Sequence, residues 1–237
     1  SDTPGVLSPK YKMQESMLAF SEGALTDADV LLYVTDVVED PSKNADFLAK
    51  VAKEKVPVLL VINKIDLLKD NKELEAIITR WKELLPAAEV FPTSAKEHFN
   101  VSNLMARIVE LLPEGEPYFG KDALTDKPAR FFVTEIIREK ILLNYDKEVP
   151  YSTEVIVEKF EEKDNSIHIM AVVYVERDSQ KGILIGKGGT MLKKVGTQAR
   201  HDIETFFGKR VFLEIFVKVE PNWRNRENKL RQFGYIE

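Results

Sequence analysis

The chain has 237 residues and a mass of 27.1 kDa, of which 44% are hydrophobic and 31% charged, enough for one large domain or two ordinary ones. It has no cysteine, which excludes disulfides, thiolate catalysis and cysteine-held zinc, and His98, His168 and His201 stand in no metal-ligand spacing. No apolar run approaches the roughly 18 residues of a membrane helix, and the opening Ser1-Asp2-Thr3-Pro4-Gly5 has neither the basic region nor the apolar core of a signal peptide.

The formal net charge of −5, taken alone, argues against a nucleic-acid partner. Its distribution argues otherwise. Residues 1–120 carry 13 Lys and Arg against 20 Asp and Glu, and residues 121–180 carry 9 against 13. Residues 181–237 carry 12 against 6. A basic module on an acidic body suits a nucleic-acid or acidic surface at the basic end, or else a solvated basic face.

In chain order, Val30–Thr35 and Val56–Ile62 are continuous apolar runs of the kind that form parallel strands buried on both faces. Glu89–Phe91 is a shorter one. Helical stretches lie between and after them, at about Asn44–Lys55, Asn71–Leu85 and Ser102–Leu112. This alternation predicts βαβ units and a parallel sheet. Pro113-Glu114-Gly115-Glu116-Pro117 breaks it, and the Pro-, Gly- and Asp-rich stretch that follows reads as a linker. Beyond it come a helix over Arg130–Asn144, alternating strands over Ser152–Glu162 and Ser166–Arg177, a glycine-rich turn over Gly182–Gly189, a helix over Thr190–Phe207 ended by Gly208, and a strand over Arg210–Val219. This half is α+β with a small sheet.

Asn63-Lys64-Ile65-Asp66 directly follows the second buried run. At the C-terminal end of a parallel strand, side chains face the crevice where α/β proteins bind ligands. An aspartate there accepts from the N1–H and 2-amino group of guanine, whereas adenine would leave the carboxylate unpaired. Thr93-Ser94-Ala95-Lys96 ends the next strand, where a backbone N–H at Ala95 can meet the guanine O6. Asp2-Thr3-Pro4-Gly5 has the D-x-x-G pattern of a GTPase strand end, its Asp directed at Mg²⁺ through water and its Gly N–H at the γ-phosphate. Any one of the three reads equally well as a polar turn; together, in this order, they point to a guanine-nucleotide site.

The phosphate loop G-x-x-x-x-G-K-[ST] that should precede Asp2 is not in the sequence. Gly182-Ile183-Leu184-Ile185-Gly186-Lys187 has three intervening residues rather than four, is followed by Gly188, and lies in the wrong half. Gly186-Lys187-Gly188-Gly189 reads instead as the G-x-x-G loop of a KH domain, which clamps the backbone of about four single-stranded nucleotides. Ile185 would supply an apolar base platform, and Lys187, Lys193 and Lys194 phosphate charge.

With Tyr174–Gly182, Ile185–Gly189, Pro128–Phe131 and Ile137–Lys140 added, the chain resembles the Era family, bacterial GTPases with a C-terminal type II KH domain. The resemblance implies a partial P-loop-type G domain at 1–115 with its first strands missing, a linker at 116–127, and a KH domain with a C-terminal tail at 128–237. It implies GTP and GDP at Asn63, Lys64, Asp66, Ser94, Ala95 and Lys96, and a γ-phosphate switch at Asp2 and Gly5 leading into a helix near Ser8–Tyr11. It further implies Mg²⁺ at Asp2 and RNA at Ile185–Gly189, Lys193 and Lys194. The implied role is 30S ribosomal subunit assembly, by a cytoplasmic monomer that grips the 3′ end of 16S ribosomal RNA and associates peripherally with the inner membrane. Val6 stands where many small GTPases place a water-orienting Gln, so slow hydrolysis is expected and no water-activating residue is assigned. In that family's strand order the phosphate-loop strand lies beside Val30–Thr35. The intact protein is therefore expected to extend upstream of Ser1 by roughly 30 residues or more, and these 237 residues alone are not expected to hydrolyse GTP. Rival readings are a non-catalytic RNA-binding module with a G-like scaffold, and another ribosome-assembly GTPase with a KH-like tail, of the Der type.

Overall fold

The computed structural model describes residues 2–116, 120 and 125–236. It divides into two compact units, Ser1–Pro117 and Tyr118–Glu237. The linker expected at 116–127 lies largely outside the described residues.

In the first unit, three parallel strands, β1 (Leu31–Asp36), β2 (Val58–Asn63) and β3 (Glu89–Pro92), form a sheet in that order. The helices are α1 (Lys12–Thr26), α2 (Ala45–Val51), α3 (Asn71–Leu84) and α4 (Val101–Leu111). Strand β2 is apolar from Val58 to Ile62, as suits a strand buried on both faces. Its Leu60 and Ile62 join Phe47, Leu48, Val51, Trp81 and Leu85 in one core, while Leu59 and Val61 join Phe91 and Leu104 in a second. Helix α3 begins where Asp70 Oδ1 accepts from the N–H groups of Lys72 and Glu73 at 2.9 and 3.0 Å. Helix α2 is shorter than its periodicity suggests, since Asp40 nucleates a 3₁₀ turn over Pro41–Asn44 through Ser42 N–H at 3.0 Å.

The segment from Asp2 to α1 is irregular, and the strand expected to end at Asp2 lies outside the described residues. Pro4 and Pro9 there lack the N–H a ladder needs. Ser21 Oγ donates to the Pro4 carbonyl at 2.9 Å, and Val6 packs against the larger core. Strand β1 lies at the edge of the sheet, with Leu32 and Val34 exposed.

The second unit has β4 (Glu154–Glu162), β5 (Ser166–Val175) and β6 (Arg210–Val219), with β5 in the middle, antiparallel to β4 and parallel to β6. Alternate residues of β5, from Ile167 to Val175, pack with Val133, Ile137 and Ile141 of α5 (Ala129–Asn144) and Val195, Ala199 and Ile203 of α7 (Thr190–Phe207). A half-turn at Pro150–Ser152 stands where the first strand was expected to begin. Gly182–Ile185, expected as turn, is the end of helix α6 (Asp178–Ile185). The low helix propensity of Gly182 is overridden by capping. Gln180 Oε1 accepts from Glu176 and Arg177 N–H at 3.0 Å, and Gly186 N–H closes the helix on the Gly182 carbonyl at 2.9 Å. Burial raises the Tyr145 phenol to about 12; its hydroxyl donates to the Leu184 carbonyl at 2.6 Å, fixing α6 against α5.

The other face of this sheet is covered at one end by the chain's last element, α8 (Glu227–Gln232), and the residues around it. Tyr235 Oη donates to Glu154 Oε2 at 2.6 Å, and the Phe233 ring lies 5.1 Å from that of Tyr174. Burial pushes the Glu154 carboxyl upward.

Ile137 is fully buried at the centre of the second core. Ile137→Ala is expected to destabilise this unit by about 2–5 kcal/mol, the usual cost of lost burial plus a cavity. Urea unfolding followed through Trp223, in the second unit, should show the loss, while a probe on Trp81, in the first, should not. An equal shift at both tryptophans would contradict the independence of the two cores.

Candidate functional site

Parallel pairing brings the ends of β1, β2 and β3 to one edge of the sheet. Asp36 lies in register with Asn63, and Ile62 with Pro92, immediately before Thr93. The two predicted strand-end loops are joined there by hydrogen bonds. Ala95 N–H donates to Asn63 Oδ1 at 3.0 Å, Ser94 Oγ donates to Asp66 Oδ1 at 2.6 Å, and Ile65 N–H donates to the Thr93 carbonyl at 3.2 Å.

Ser94 is buried and anchors its loop through paired backbone bonds with Phe99, at 3.2 and 2.9 Å. Asn100, in the left-handed region at φ 61°, closes the same loop by donating from Nδ2 to the Pro92 carbonyl at 2.9 Å. Asp66 is exposed, with one oxygen oriented by Ser94. A carboxylate offers about four lone-pair sites, so acceptor capacity remains.

Lys64 sits at φ 62°, an unusual conformation for a side chain of its size. Its Nζ bonds Asp36 Oδ2 at 2.6 Å, while Asp36 Oδ1 accepts from the N–H groups of Val38 and Glu39, each at 2.9 Å. Sequence reasoning missed Asp36. The hydrogen bond from Lys64 holds its carboxyl below the usual carboxylate range, and the backbone bonds add to this. Lys96 is not drawn into the cluster; its Nζ lies 3.2 Å from Glu97 Oε1 on the exposed surface.

Asp2 and Gly5 are both exposed. Among the described residues no group of three or more His, Asp or Glu side chains stands ready to hold a metal ion.

In the second unit, the loop between α6 and α7 puts Gly186, Gly188 and Gly189 at φ 72°, 61° and 76°. A Cβ on Gly186 would lie 2.7 Å from Met191 Cγ and 3.1 Å from its backbone N, so glycine is required there by space as well as by φ. Gly188 and Gly189 face open space, where a ligand backbone can approach. Helix α7 starts from Gly189 with no side-chain cap; the Gly189 and Thr190 N–H groups close on the Gly186 and Lys187 carbonyls, and the N–H groups that follow them have no capping side chain and can face an anion.

From the loop, a groove of about 380 Å³ runs between α7 and β6. Gly189, Lys193, Gly196, Thr197 and Arg200 line one side, with Leu192, Leu213 and Ile215 as its apolar surface. Lys187 and Lys194 are exposed beside it. Ile185, expected as the apolar platform, packs against the core and does not line the groove. The spacing of four, three and four residues from Gly189 to Lys193, Gly196 and Arg200 is the sequence signal for this helix face.

Residues 2–114 match the model of the elongation factor Tu GTP binding domain, and residues 148–224 match that of the KH domain. The chain is 42% identical to the GTPase Era of Staphylococcus haemolyticus over 238 residues, covering 100% of this chain and 79% of that protein. Among solved structures it is similar to Aquifex aeolicus Era, in a variant bound to GDP and AlF₄⁻, with a TM-score of 0.91 at 36% identity. It is similar also to Era in complex with MgGDPNP and nucleotides 1506–1542 of 16S ribosomal RNA, with a TM-score of 0.92 at 36% identity. The two alignments cover 100% of this chain and 81% of each neighbour.

The Asp36–Lys64 pair has a pH signature. A carboxyl lowered in the folded state contributes stability that is present above its unfolded pKa, about 3.9, and is lost as pH falls through the folded value. Asp36→Asn removes that contribution. Between about pH 5 and about pH 3 the variant should lose less stability than the unsubstituted protein. Urea midpoints at both pH values measure this; identical losses would mean that the pair contributes nothing to the acid limb.

Proposed function

The chain belongs to the Era family of GTPases, and on that premise we propose that it is an RNA-binding GTPase that takes guanine at the ends of β2 and β3 and 16S ribosomal RNA in the groove beside α7. The observation that carries this reading is the hydrogen-bonded pair of strand-end loops, Asn63–Asp66 and Thr93–Lys96. They are joined before any base arrives, and a base so held loses little to loop ordering.

The residues fit the base end of the nucleotide. Asp66 offers acceptors to the N1–H and 2-amino group, and Ser94 fixes the carboxylate's direction. Asn63 ties the two loops together by accepting from the Ala95 N–H, so this amide, expected at the guanine O6, is engaged by Asn63 and is released to the base only when that bond opens. Lys64, held by Asp36, would flank the base. At the phosphate end this chain supplies Asp2 and Gly5; the phosphate loop is not among its residues. A single carboxylate suits Mg²⁺, which takes its remaining ligands from phosphate oxygens and water. When bound, the ion neutralises charge on the phosphates. Asp2 would hold it through water, and the Gly5 amide would face the terminal phosphate, so that α1, following Gly5 in the chain, is the element whose order depends on that phosphate.

The RNA half rests on the glycine loop. Its Cβ-free backbone, the uncapped start of α7 and the cations Lys187, Lys193 and Lys194 suit phosphates, and Leu192, Leu213 and Ile215 suit bases. In this reading nucleotide turnover switches RNA or ribosome affinity during 30S subunit assembly, with the protein cytoplasmic and its membrane contact peripheral. No helix of the described residues is long and apolar enough to cross a membrane.

Two variants of the intact protein test the two halves. Asp66→Asn turns an acceptor into a donor facing guanine, and GTP affinity should fall about 10- to 1000-fold while xanthosine triphosphate gains relative to GTP. GTP binding at the original strength would remove the guanine assignment. Lys187→Asp combined with Gly188→Asp places two negative charges where the RNA backbone should pass. Single-stranded RNA binding should be lost with GTP affinity unchanged and the variant still folding cooperatively, its melting temperature lowered a little by the left-handed φ at Gly188, and unsubstituted affinity should fall with salt at a slope near −0.7 per phosphate contacted. Retained RNA binding in the folded variant would move the RNA site elsewhere.

A further inference from the structure

We propose that the open end of the outer sheet face of the second unit, centred on His168 and Phe212, is a further RNA subsite that receives a base from the strand as it leaves the glycine-loop groove. This rests on the RNA reading of that groove.

The outer face is made by alternate residues of the three strands, and register places His168 beside Phe212, Met170 beside Glu214 and Lys159, and Val172 beside Phe216. One end of the face is covered by the chain's own C-terminal residues: Val172 and Tyr174 are buried, and Tyr235 reaches Glu154. At the other end the imidazole of His168 stacks on the Phe212 ring, with centroids 4.6 Å apart and planes inclined by 22°. Phe212 is nevertheless 57% exposed, and Phe216 48%. A strand face meant only for solvent carries polar side chains at such positions. Two exposed phenylalanines, one in a parallel stack, offer a π surface of the kind on which single-stranded bases stack irrespective of sequence.

Position identifies the occupant. A hollow of about 660 Å³ lies over this stack, lined by Lys159, His168, Met170, Phe212, Glu214 and Arg200. Arg200 and Leu213 line both this hollow and the groove beside α7, so the two are continuous around the edge of β6. The glycine loop clamps about four nucleotides. The RNA in the similar Era complex spans nucleotides 1506–1542 and therefore extends well beyond such a clamp. A strand that follows the groove from Gly189 toward Arg200 emerges over the His168–Phe212 stack.

The chemistry suits a nucleotide. Arg200 and Lys159 have donors beyond those engaged with Glu204 and Glu161, at 3.1 and 2.9 Å, and can share them with a phosphate. Glu214 presents an acceptor at the rim, which favours a base with an exocyclic amino group over uracil.

The test uses the 1506–1542 RNA and its shortest truncation that still binds the intact protein. Phe212→Ala should weaken binding of the long RNA about 5- to 150-fold, the loss expected for one stacked base. It should leave the short RNA unchanged, and Phe212→Trp should restore the long one. Uracil in place of the bases just outside the truncation should weaken the long RNA in the unsubstituted protein only. The combined Lys187→Asp and Gly188→Asp variant should lose both RNAs. Undiminished long-RNA binding by Phe212→Ala overturns the subsite, as does equal loss of long and short RNA, which would mark a structural effect. Retention of both RNAs by the loop variant is a separate result: it removes the groove reading, and the subsite falls with it.

Discussion

Parallel register is the constraint on which the first unit depends. Three strands that start from different places in the sequence must finish at the same edge, because each ladder rung fixes the next. That alignment puts Asp36 opposite Asn63 and delivers Thr93 and Ser94 beside Ile65 and Asp66. Asp36 is held in part by the N–H groups of Val38 and Glu39 that follow it, but the other polar side chains at this edge are oriented from outside their own strand. Each is oriented by a group from a neighbouring one: Asn63 by Ala95, Asp66 by Ser94, Lys64 by Asp36. The register in turn depends on β2, whose residues face two different cores and cannot slip by one position without exchanging them.

The second unit solves a different problem, that of exposing backbone safely. An anion site made of N–H groups needs glycines with left-handed φ, and these weaken the segment that holds them. The loop is therefore clamped on both sides. Helix α6 is capped by Gln180 and tied to α5 through Tyr145, and α7 is fixed to α5 by ion pairing between Lys140 and Asp202. Met191 fills the space that a side chain at Gly186 would occupy.

What the sequence made legible follows the range of the interactions. The βαβ alternation, the buried β2 and the strand-end motifs could be read because each is carried by a contiguous run, and the same holds for the glycine loop. Asp36 could not, since a strand ending in Thr-Asp is ordinary until pairing sets it against Asn63. Gly182 obscured α6 because its low propensity weighs against a helix, although the Gln180 cap that offsets it is made only three and four residues back along the chain. Ile185 is partly buried, packed against the core beside the glycine loop; an apolar residue there can face core or groove, and the packing of α6 sets how much of it remains open. The groove's helical side was available as spacing along α7, but Leu213 and Ile215 enter it only through the placement of β6.

Charge shows how much such folding matters. The excess of basic residues over 181–237 suggested a polyanion partner, yet much of it is neutralised inside the unit. Lys209 pairs with Glu162, Lys218 with Glu158, Arg224 with Glu176, and Lys229 and Arg226 with Glu220. Those cations serve the packing of strands and tail. Among the described residues, Lys187, Lys193 and Lys194 have no carboxylate partner, and they flank the uncapped start of α7. Lys181 and Arg210 are without a carboxylate partner too, on α6 and at the start of β6. The three lysines nevertheless share the one loop whose backbone amides favour an anion, so the two fields add there. The net charge of a segment is thus a weak guide to a nucleic-acid surface; the cations left over after the fold has used its own carboxylates are the stronger one.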